Sequence, residues 1–201
     1  MNKTRSRVRL SRALGIPLTP KAQRHLERRP YPPGQHGRRR RTVSDYKARL
    51  LEKQRLRAQY DLSEAQLRLA LAKAMRGGQN PGAALLADLE TRLDALVLRA
   101  GFARTIYQAR QAVSHGHITV NGRRVDRPSY RVRPGDRIEV AAGSKPKTPF
   151  LLAATGAHAA ATPAYLDVDL EALTARLVRL PSRAEIPVIC DERLVVEFYS
   201  R

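Results

Sequence analysis

The chain is poor in several residue types on which whole classes of protein depend. Only one of its 201 residues is a cysteine, which excludes an internal disulfide and a cysteine-based zinc finger. This residue, Cys190, ends an apolar run and is predicted to be a small core residue. No run of 18 apolar residues occurs, so no membrane-spanning helix is expected. The first 15 residues lack the apolar stretch of a secretory signal, although their arginine content would suit a transit peptide.

Acidic residues are also scarce, since 18 Asp and Glu stand against 38 Lys and Arg and give a formal net charge of +20. Residues 1–60 hold 18 basic and 3 acidic residues, whereas residues 61–201 hold 20 and 15. Such a charge destabilises a compact chain by self-repulsion unless a polyanion neutralises it. Nucleic acid is therefore the expected partner. A membrane surface is a weaker alternative, because no long basic amphipathic helix carries Trp or Phe on its apolar side.

Residues 1–43 are predicted to form an extended basic arm. The prolines and glycines of residues 29–37 exclude a helix there and fix an extended path. A disordered tail is one alternative, but we favour an arm that becomes ordered on RNA.

Three helices are predicted after the arm. Ser44 can cap the first helix, which runs to about Tyr60 and is basic around most of its circumference. Ser63 and Gln66 have the spacing of a capping box and start the second helix. The third helix is expected over residues 83–100, where leucines recur at helical spacing.

Residues 105–140 predict one further helix followed by a small antiparallel β-unit. Thr105 and Gln108 have capping-box spacing, and Gly116 is well placed to end the helix. Asn121 with the glycine that follows it lies between two β-prone runs and predicts a hairpin, because both central residues need positive φ. Further segments are predicted as strands at 129–133, 137–140 and 165–169, as a short helix at 170–177, and as a strand or helix at 194–199.

Segments spread along the whole chain resemble one known family. Residues 93–140 resemble the small α/β RNA-binding fold named after ribosomal protein S4, which several RNA-modifying enzymes share. The sequence Pro-Gly-Gln-His-Gly at residues 33–37 resembles the arm of that ribosomal protein. Other matching segments are residues 44–46, 52–57, 89–94 and 197–201. Because these matches occur in order, the chain resembles the bacterial-type small-subunit ribosomal protein S4 family.

The resemblance implies an α+β fold in three parts. A basic extended N-terminal arm at residues 1–43 would precede a helical domain at residues 44–90, which residues 180–201 would complete. An inserted small α/β RNA-binding domain with an antiparallel sheet would occupy residues 91–179.

The resemblance also implies a role. The protein would be a structural constituent of the small ribosomal subunit in the cytoplasm, not an enzyme, that binds rRNA directly and nucleates assembly of the subunit body. It would lie beside the path by which mRNA enters, and would contribute to translational accuracy with ribosomal proteins S5 and S12. Some members also repress translation of their own operon mRNA. Zinc-bearing members have a cysteine pair near the N-terminus where this chain has Arg9 and Arg12, so neither zinc nor another cofactor is expected.

An RNA-modifying enzyme is the main alternative. Arg92, Leu93 and Asp94 resemble a signature of pseudouridine synthases, in which the aspartate is catalytic. In those enzymes, however, the RNA-binding module precedes a separate catalytic domain too large to fit here, so Asp94 is expected to be a helix-surface or ion-pairing residue. His115 and His117 could share a metal ion, but no third ligand is evident nearby, and contact with RNA or simple surface placement is preferred.

The predicted RNA contacts are mostly to phosphates, with little direct reading of bases. In the arm and the first helix the predicted rRNA-binding residues are Arg38, Arg39, Arg40, Arg41, Lys53, Arg55 and Arg57. In the module they are Arg104, Gln108, Arg110, Gln111, His115, Arg123 and Arg124. The alternative is a solvated basic surface without a partner. Residues 93–147 argue against it, because they hold 11 basic and 4 acidic residues and soluble surfaces usually mix the signs.

Overall fold

A computed structural model describes residues 6–39, 43–78, 80–158 and 162–200. Within these ranges it contains nine α-helices and one five-stranded antiparallel sheet, which confirms the predicted α+β class. The chain forms two compact units, one of Met1–Leu67 with Val188–Arg201 and one of Arg68–Pro187. The domain boundaries expected from the sequence, after residues 43, 90 and 179, remain predictions. None of the described helices is long and apolar enough to cross a membrane.

The first unit is helical, and its arm is not simply extended. Its helices are α1 (Arg7–Leu14), α2 (Pro20–Arg28), α3 (Asp45–Gln59), the start of α4 (Glu64–Met75) and α9 (Glu192–Tyr199). The prediction of an extended arm is therefore wrong for most of residues 7–28. The Thr19 side chain starts α2 by accepting a hydrogen bond from the Ala22 amide at 3.1 Å, and Pro20 fits the first helical position. Residues 29–37 contain neither helix nor strand, as predicted.

The chain end completes the core of the first unit. The sequence allowed a strand or a helix at residues 194–199, and the structure has the helix α9. This helix packs against α3, where Val195 and Leu56 are buried. The Asp191 side chain caps α9 by accepting a hydrogen bond from the Arg193 amide at 2.9 Å. Cys190 is only half-buried, which corrects the prediction of a core residue, because its segment runs along the surface of the unit.

The second unit combines helices with the sheet. Its complete helices are α5 (Pro81–Glu90), α6 (Leu93–Arg99), α7 (Ile106–Ser114) and α8 (Thr148–Ala154). Its strands are β1 (Ile118–Val120), β2 (Arg123–Arg124), β3 (Arg137–Val140), β4 (Leu166–Asp169) and β5 (Thr174–Leu177). Their order across the sheet is β2-β1-β3-β5-β4. One continuous apolar core joins α6, α7 and α8 to a face of the sheet and includes Val132, Ile138 and Val140.

Pairing between distant segments overturns two predictions around α6. The helix predicted over residues 83–100 is interrupted, because Arg92 has an extended backbone and forms a β-bridge with Arg131. The adjacent Leu93 amide donates to the Tyr130 carbonyl at 2.9 Å. The strand predicted at residues 129–133 is reduced to that single bridge, since its backbone pairs with the helix junction and not with the sheet.

The short helix predicted at residues 170–177 is also wrong. Thr174–Leu177 is β5, which pairs with both β3 and β4. Leu173 has a φ of 53°, a left-handed conformation that cannot continue a helix, and the Asp169 side chain closes the turn by accepting from the Ala172 amide at 2.9 Å. The predicted strands at β3 and β4 are confirmed.

Candidate nucleic-acid interface

Helix α7 presents one apolar and one polar face. Ile106, Ala109 and Val113 are buried on the core side, as predicted. The Thr105 hydroxyl caps the helix by accepting from the Gln108 amide at 3.2 Å, and the Gln108 side chain accepts from the Arg104 amide at 2.9 Å. This return bond reaches one residue further back than a capping box. The opposite face, with Gln111 and His115, is exposed to solvent.

The predicted hairpin follows α7 directly. Asn121 and Gly122 both have positive φ, of 50° and 76°. The Asn121 side chain fixes the turn, because it accepts from the Arg137 amide at 2.9 Å and donates to Asp136 at 2.8 Å. The hairpin thereby holds Arg123, at the start of the edge strand β2, exposed to solvent.

One arginine of the hairpin is fixed against the end of α7. The Arg124 guanidinium donates to the His115 carbonyl at 3.2 Å and lies directly over Gly116. A Cβ atom at position 116 would approach that guanidinium to 1.9 Å, and Gly116 also has a φ of 68°. Only glycine therefore allows both the turn that ends α7 and the approach of Arg124.

Two predicted contact residues of the module have different surroundings. Arg104, just before α7, is exposed to solvent. Arg110 is half-buried and donates to Asp94 at 3.1 Å. Asp94 has no exposed surface and also accepts two hydrogen bonds from Arg92, at 2.9 and 2.7 Å. Asp94 thus joins α6 to α7 as a buried ion-pairing residue, and substrate cannot reach it.

The predicted contact residues of α3 are engaged within the first unit. Lys53 is buried, with its ammonium 3.0 Å from Glu64 and 4.2 Å from the centre of the Phe198 ring. Arg57 also pairs with Glu64, at 3.1 Å. Arg55 donates to the Leu14 carbonyl at 2.8 Å, which ties α3 to the end of α1.

Glu64 is the shared acceptor of this cluster. Burial acts to raise its pKa, but hydrogen bonds from Tyr199, Lys53 and Arg57 together hold the pKa of Glu64 below its ordinary value. The carboxylate therefore stays ionised and helps to keep α3, α4 and α9 together.

In the arm, two arginines enclose one aromatic ring. Arg12 and Arg38 each lie 5.0 Å from the centre of the Tyr31 ring. Arg12 also donates to the Tyr31 carbonyl at 3.1 Å, and the hydrogen bond from Arg38 lowers the pKa of the Tyr31 hydroxyl. Arg39 is exposed, whereas Arg40 and Arg41 lie outside the described residues. Nothing in the sequence pattern had marked Arg12 as a partner of Tyr31.

The two histidines at the end of α7 do not form a metal site with their neighbours. Their ring centres are 5.9 Å apart, and His117 Nδ1 lies 2.9 Å from the Ser144 hydroxyl. Burial, together with the nearby charges of Lys147, His115 and Arg124, lowers the pKa of His117. Across the described ranges, no three side chains of His, Cys, Asp or Glu come together in a way that could hold a metal ion.

Known proteins similar to this chain cover its whole length. Residues 2–90 match the family described as Ribosomal protein S4/S9 N-terminal domain, and residues 91–138 match the S4 domain. The small ribosomal subunit protein uS4 of Streptomyces coelicolor is 62% identical over 202 residues, covering 100% of this chain and 99% of that protein. The uS4 protein of Beutenbergia cavernae is 61% identical over 203 residues, covering 99% and 98%. That of Bifidobacterium adolescentis is 60% identical over 205 residues, covering 100% and 99%.

Proposed function

Because this chain belongs to the uS4 family of small ribosomal subunit proteins, we propose that it binds small-subunit rRNA directly through α7 and the β1–β2 hairpin. The chain is a structural constituent of the small ribosomal subunit and not an enzyme. The alternative of a pseudouridine-synthase-like enzyme is not favoured, since Asp94 is closed off from solvent by its ion pairs.

The observation that carries this proposal is the placement of cations at both ends of α7. Arg104 precedes the helix, and Arg124 is bonded to its last turn through the His115 carbonyl. Arg123 lies beside Arg124 on the exposed hairpin, and the amide of Gln111 lies between the two ends. A surface that alternates guanidinium and amide groups in this way suits the phosphate and 2′-hydroxyl groups of RNA.

The arm is proposed as a second contact. Arg38 and Arg39 are exposed, and Arg40 and Arg41 continue the same basic run in the sequence. Arg55 and Arg57 are partly engaged within the first unit, and Lys53 is buried there, so these three residues are expected to contribute less than the arm.

A salt titration of rRNA binding tests this function. If about ten phosphates are neutralised, the logarithm of affinity should fall with the logarithm of salt concentration with a slope of about −7 to −9. The double variant Arg104→Gln and Arg123→Gln should lower the steepness by roughly 0.7 to 0.9 for each lost contact. Arg176→Gln, an exposed arginine of β5, is the matched control and should leave the slope unchanged. A slope near zero for the unaltered protein would overturn the proposal.

The family resemblance supports a more detailed role. We propose that the protein acts in the cytoplasm, binds rRNA early and nucleates assembly of the subunit body. We further propose that it lies beside the path by which mRNA enters, contributes to translational accuracy with ribosomal proteins S5 and S12, and binds its own operon mRNA. Reconstitution of the subunit with and without this chain provides the test, since later proteins of the body should fail to join when it is absent.

A further inference from the structure

A pocket of about 230 Å³ opens beside the polar face of α7. Its apolar lining comes from Pro149 and from Phe102, Ala112 and Phe150, and the last three belong to the core of the second unit. The floor of the pocket is therefore set by packed side chains and not by a mobile loop. Such a floor is preformed, so a ligand would not have to organise it.

The rim of the pocket is polar. Gln111 and His115 extend from the exposed face of α7. Lys147, the residue just before α8, completes the rim. The Gln111 side chain is exposed, and its amide group can both donate and accept hydrogen bonds. The rim therefore offers both hydrogen-bond donors and hydrogen-bond acceptors around an apolar floor.

Aromatic rings form one wall of this pocket. The ring centres of His117 and Phe150 are 5.8 Å apart, and their planes make an angle of 72°. The ring centres of His117 and His115 are 5.9 Å apart, with an angle of 68° between the planes. Both pairs meet edge to face, and among these rings His115 is exposed to solvent whereas Phe150 is buried. A planar aromatic ligand could therefore contact the exposed His115 ring.

We propose that this pocket binds a single unpaired nucleobase of the bound rRNA, held against the aromatic wall with its edge at Gln111 and His115. The inference rests on the proposed function, and it adds one point of base recognition to a surface that otherwise contacts phosphates. Proteins commonly recognise RNA by holding unstacked bases on aromatic or histidine side chains and bonding to their edges.

A nucleobase suits the pocket better than a phosphate does. An anion would lose part of its hydration against the apolar lining, and Lys147 is the only residue of the described lining with a permanent charge. Burial lowers the pKa of His117 and so disfavours the charged form of that ring. An apolar lining with a single permanent charge favours a planar, uncharged ligand.

Abasic substitutions in the rRNA provide the test. In a small-subunit rRNA fragment, the base of each unpaired nucleotide would be removed in turn and the affinity for the full chain measured. One position should show a loss of about 5-fold to 150-fold, the range expected for a stacked base. The salt slope should not change at that position, because the phosphate is retained.

Two variants connect that loss to the pocket. The variants Gln111→Leu and His115→Ala should each bind the unaltered RNA fragment more weakly. Removing the base at the sensitive position should then cause little additional loss of affinity. Gln23→Leu, at an exposed glutamine of α2, is the matched control and should retain the full abasic effect. Coupling of this kind would not arise from a change in folding alone.

Three results would overturn the proposal. The first is that removing a base at any single position causes no distinct loss of affinity. The second is that one position does cause such a loss, but the loss is equally large in both variants. The third is a reduced salt slope in His115→Ala, which would indicate a phosphate in the pocket. If the unaltered protein binds rRNA with a steep slope but any of these results is found, only the pocket inference fails. Absence of salt-dependent rRNA binding would instead remove the proposed function, and this inference with it.

Discussion

The two units are both basic, but they differ in how large an apolar core holds them together. The first unit has 20 Lys and Arg against 8 Asp and Glu, and the second has 18 against 10. Among the described residues, nine apolar side chains are buried in the first unit and thirty in the second. In the first unit, cations such as Lys53 and Arg55 bind carboxylates, carbonyls and aromatic rings and thus take over part of the role of a core.

This difference shows when an arginine becomes available for a partner. In the second unit an apolar core holds α7 and the sheet in place, so Arg104 and Arg123 can remain exposed. In the first unit the same residue type joins helices, as Arg55 and Arg57 do, and in the second unit Arg110 does so through Asp94. A high density of basic residues is therefore a poor guide to where a polyanion is contacted.

The strongest test of the comparison is Asp94→Ala, because it asks whether the second unit depends on its apolar core alone. The substitution leaves Arg92 buried without its partner and should destabilise the unit by about 3–5 kcal/mol. Urea denaturation, with hydrogen exchange of the α6 and α7 amides, measures this loss. The exposed Asp126→Ala is the control and should stay within about 0.5 kcal/mol of the unaltered protein. Equal midpoints for the two variants would mean that the buried ion pairs contribute nothing.

A smaller effect is expected at the hairpin that carries the exposed arginines. Asn121→Val places a β-branched residue at positive φ and removes two side-chain hydrogen bonds, for a loss of about 2 kcal/mol or more. Thermal denaturation measures it. Arg123→Ala should leave stability nearly unchanged and lower only the affinity for rRNA. Similar melting temperatures for both variants would show that the hairpin does not depend on its turn.

The first unit should respond to acid through Glu64. Since its pKa is lowered on folding, Glu64 stabilises the unit above the ordinary pKa of 4.5, and this contribution is lost as the pH falls below that value. Glu64→Gln should cost about 1 kcal/mol or less at neutral pH, because Glu64 is partly exposed, and should weaken the dependence on acid. Urea midpoints read from α3 and α9 amide signals measure both effects. The exposed Glu27→Gln should keep the full acid dependence, and an identical response of both variants would contradict the assigned role.

The smallest effect is expected at His117 in the second unit. Its pKa is lowered on folding, so the unfolded chain takes up a proton first as the pH falls through 6.5, and stability decreases from there. His117→Gln should remove this decrease, whereas His25→Gln, at an exposed position of the first unit, should not. The decrease is measured as the change in the urea midpoint, read from α7 amide signals, between neutral and mildly acidic pH. A midpoint that rises on acidification would reverse the assigned direction.

The sequence predicted well those elements that local signals control. Thr105 and Gly116 mark the two ends of α7, and Asn121 with Gly122 marks the hairpin, because caps and positive φ need particular residues at particular positions. The alternation of β3 likewise identified the buried Ile138. These elements form the candidate surface, so its backbone could be predicted.

Features that depend on contacts between distant segments of the chain could not be predicted. The break before α6 depends on pairing between Arg92 and Arg131, and β5 depends on two neighbouring strands. The same is true of the cations, since the burial of Lys53 requires Glu64 and the ring of Phe198 at the other end of the chain. Composition reveals the number of charges, whereas only the tertiary structure separates the engaged ones from the exposed ones.

The contact between Gly116 and Arg124 has an evolutionary consequence. A side chain at position 116 would have to displace the guanidinium of Arg124, whose atoms approach that site to 1.9–2.3 Å. The guanidinium can move aside because it lies at the far end of a flexible side chain, but the φ of 68° would strain any residue other than glycine even then. Position 116 should therefore stay glycine among descendants of this gene, whether or not position 124 keeps its arginine.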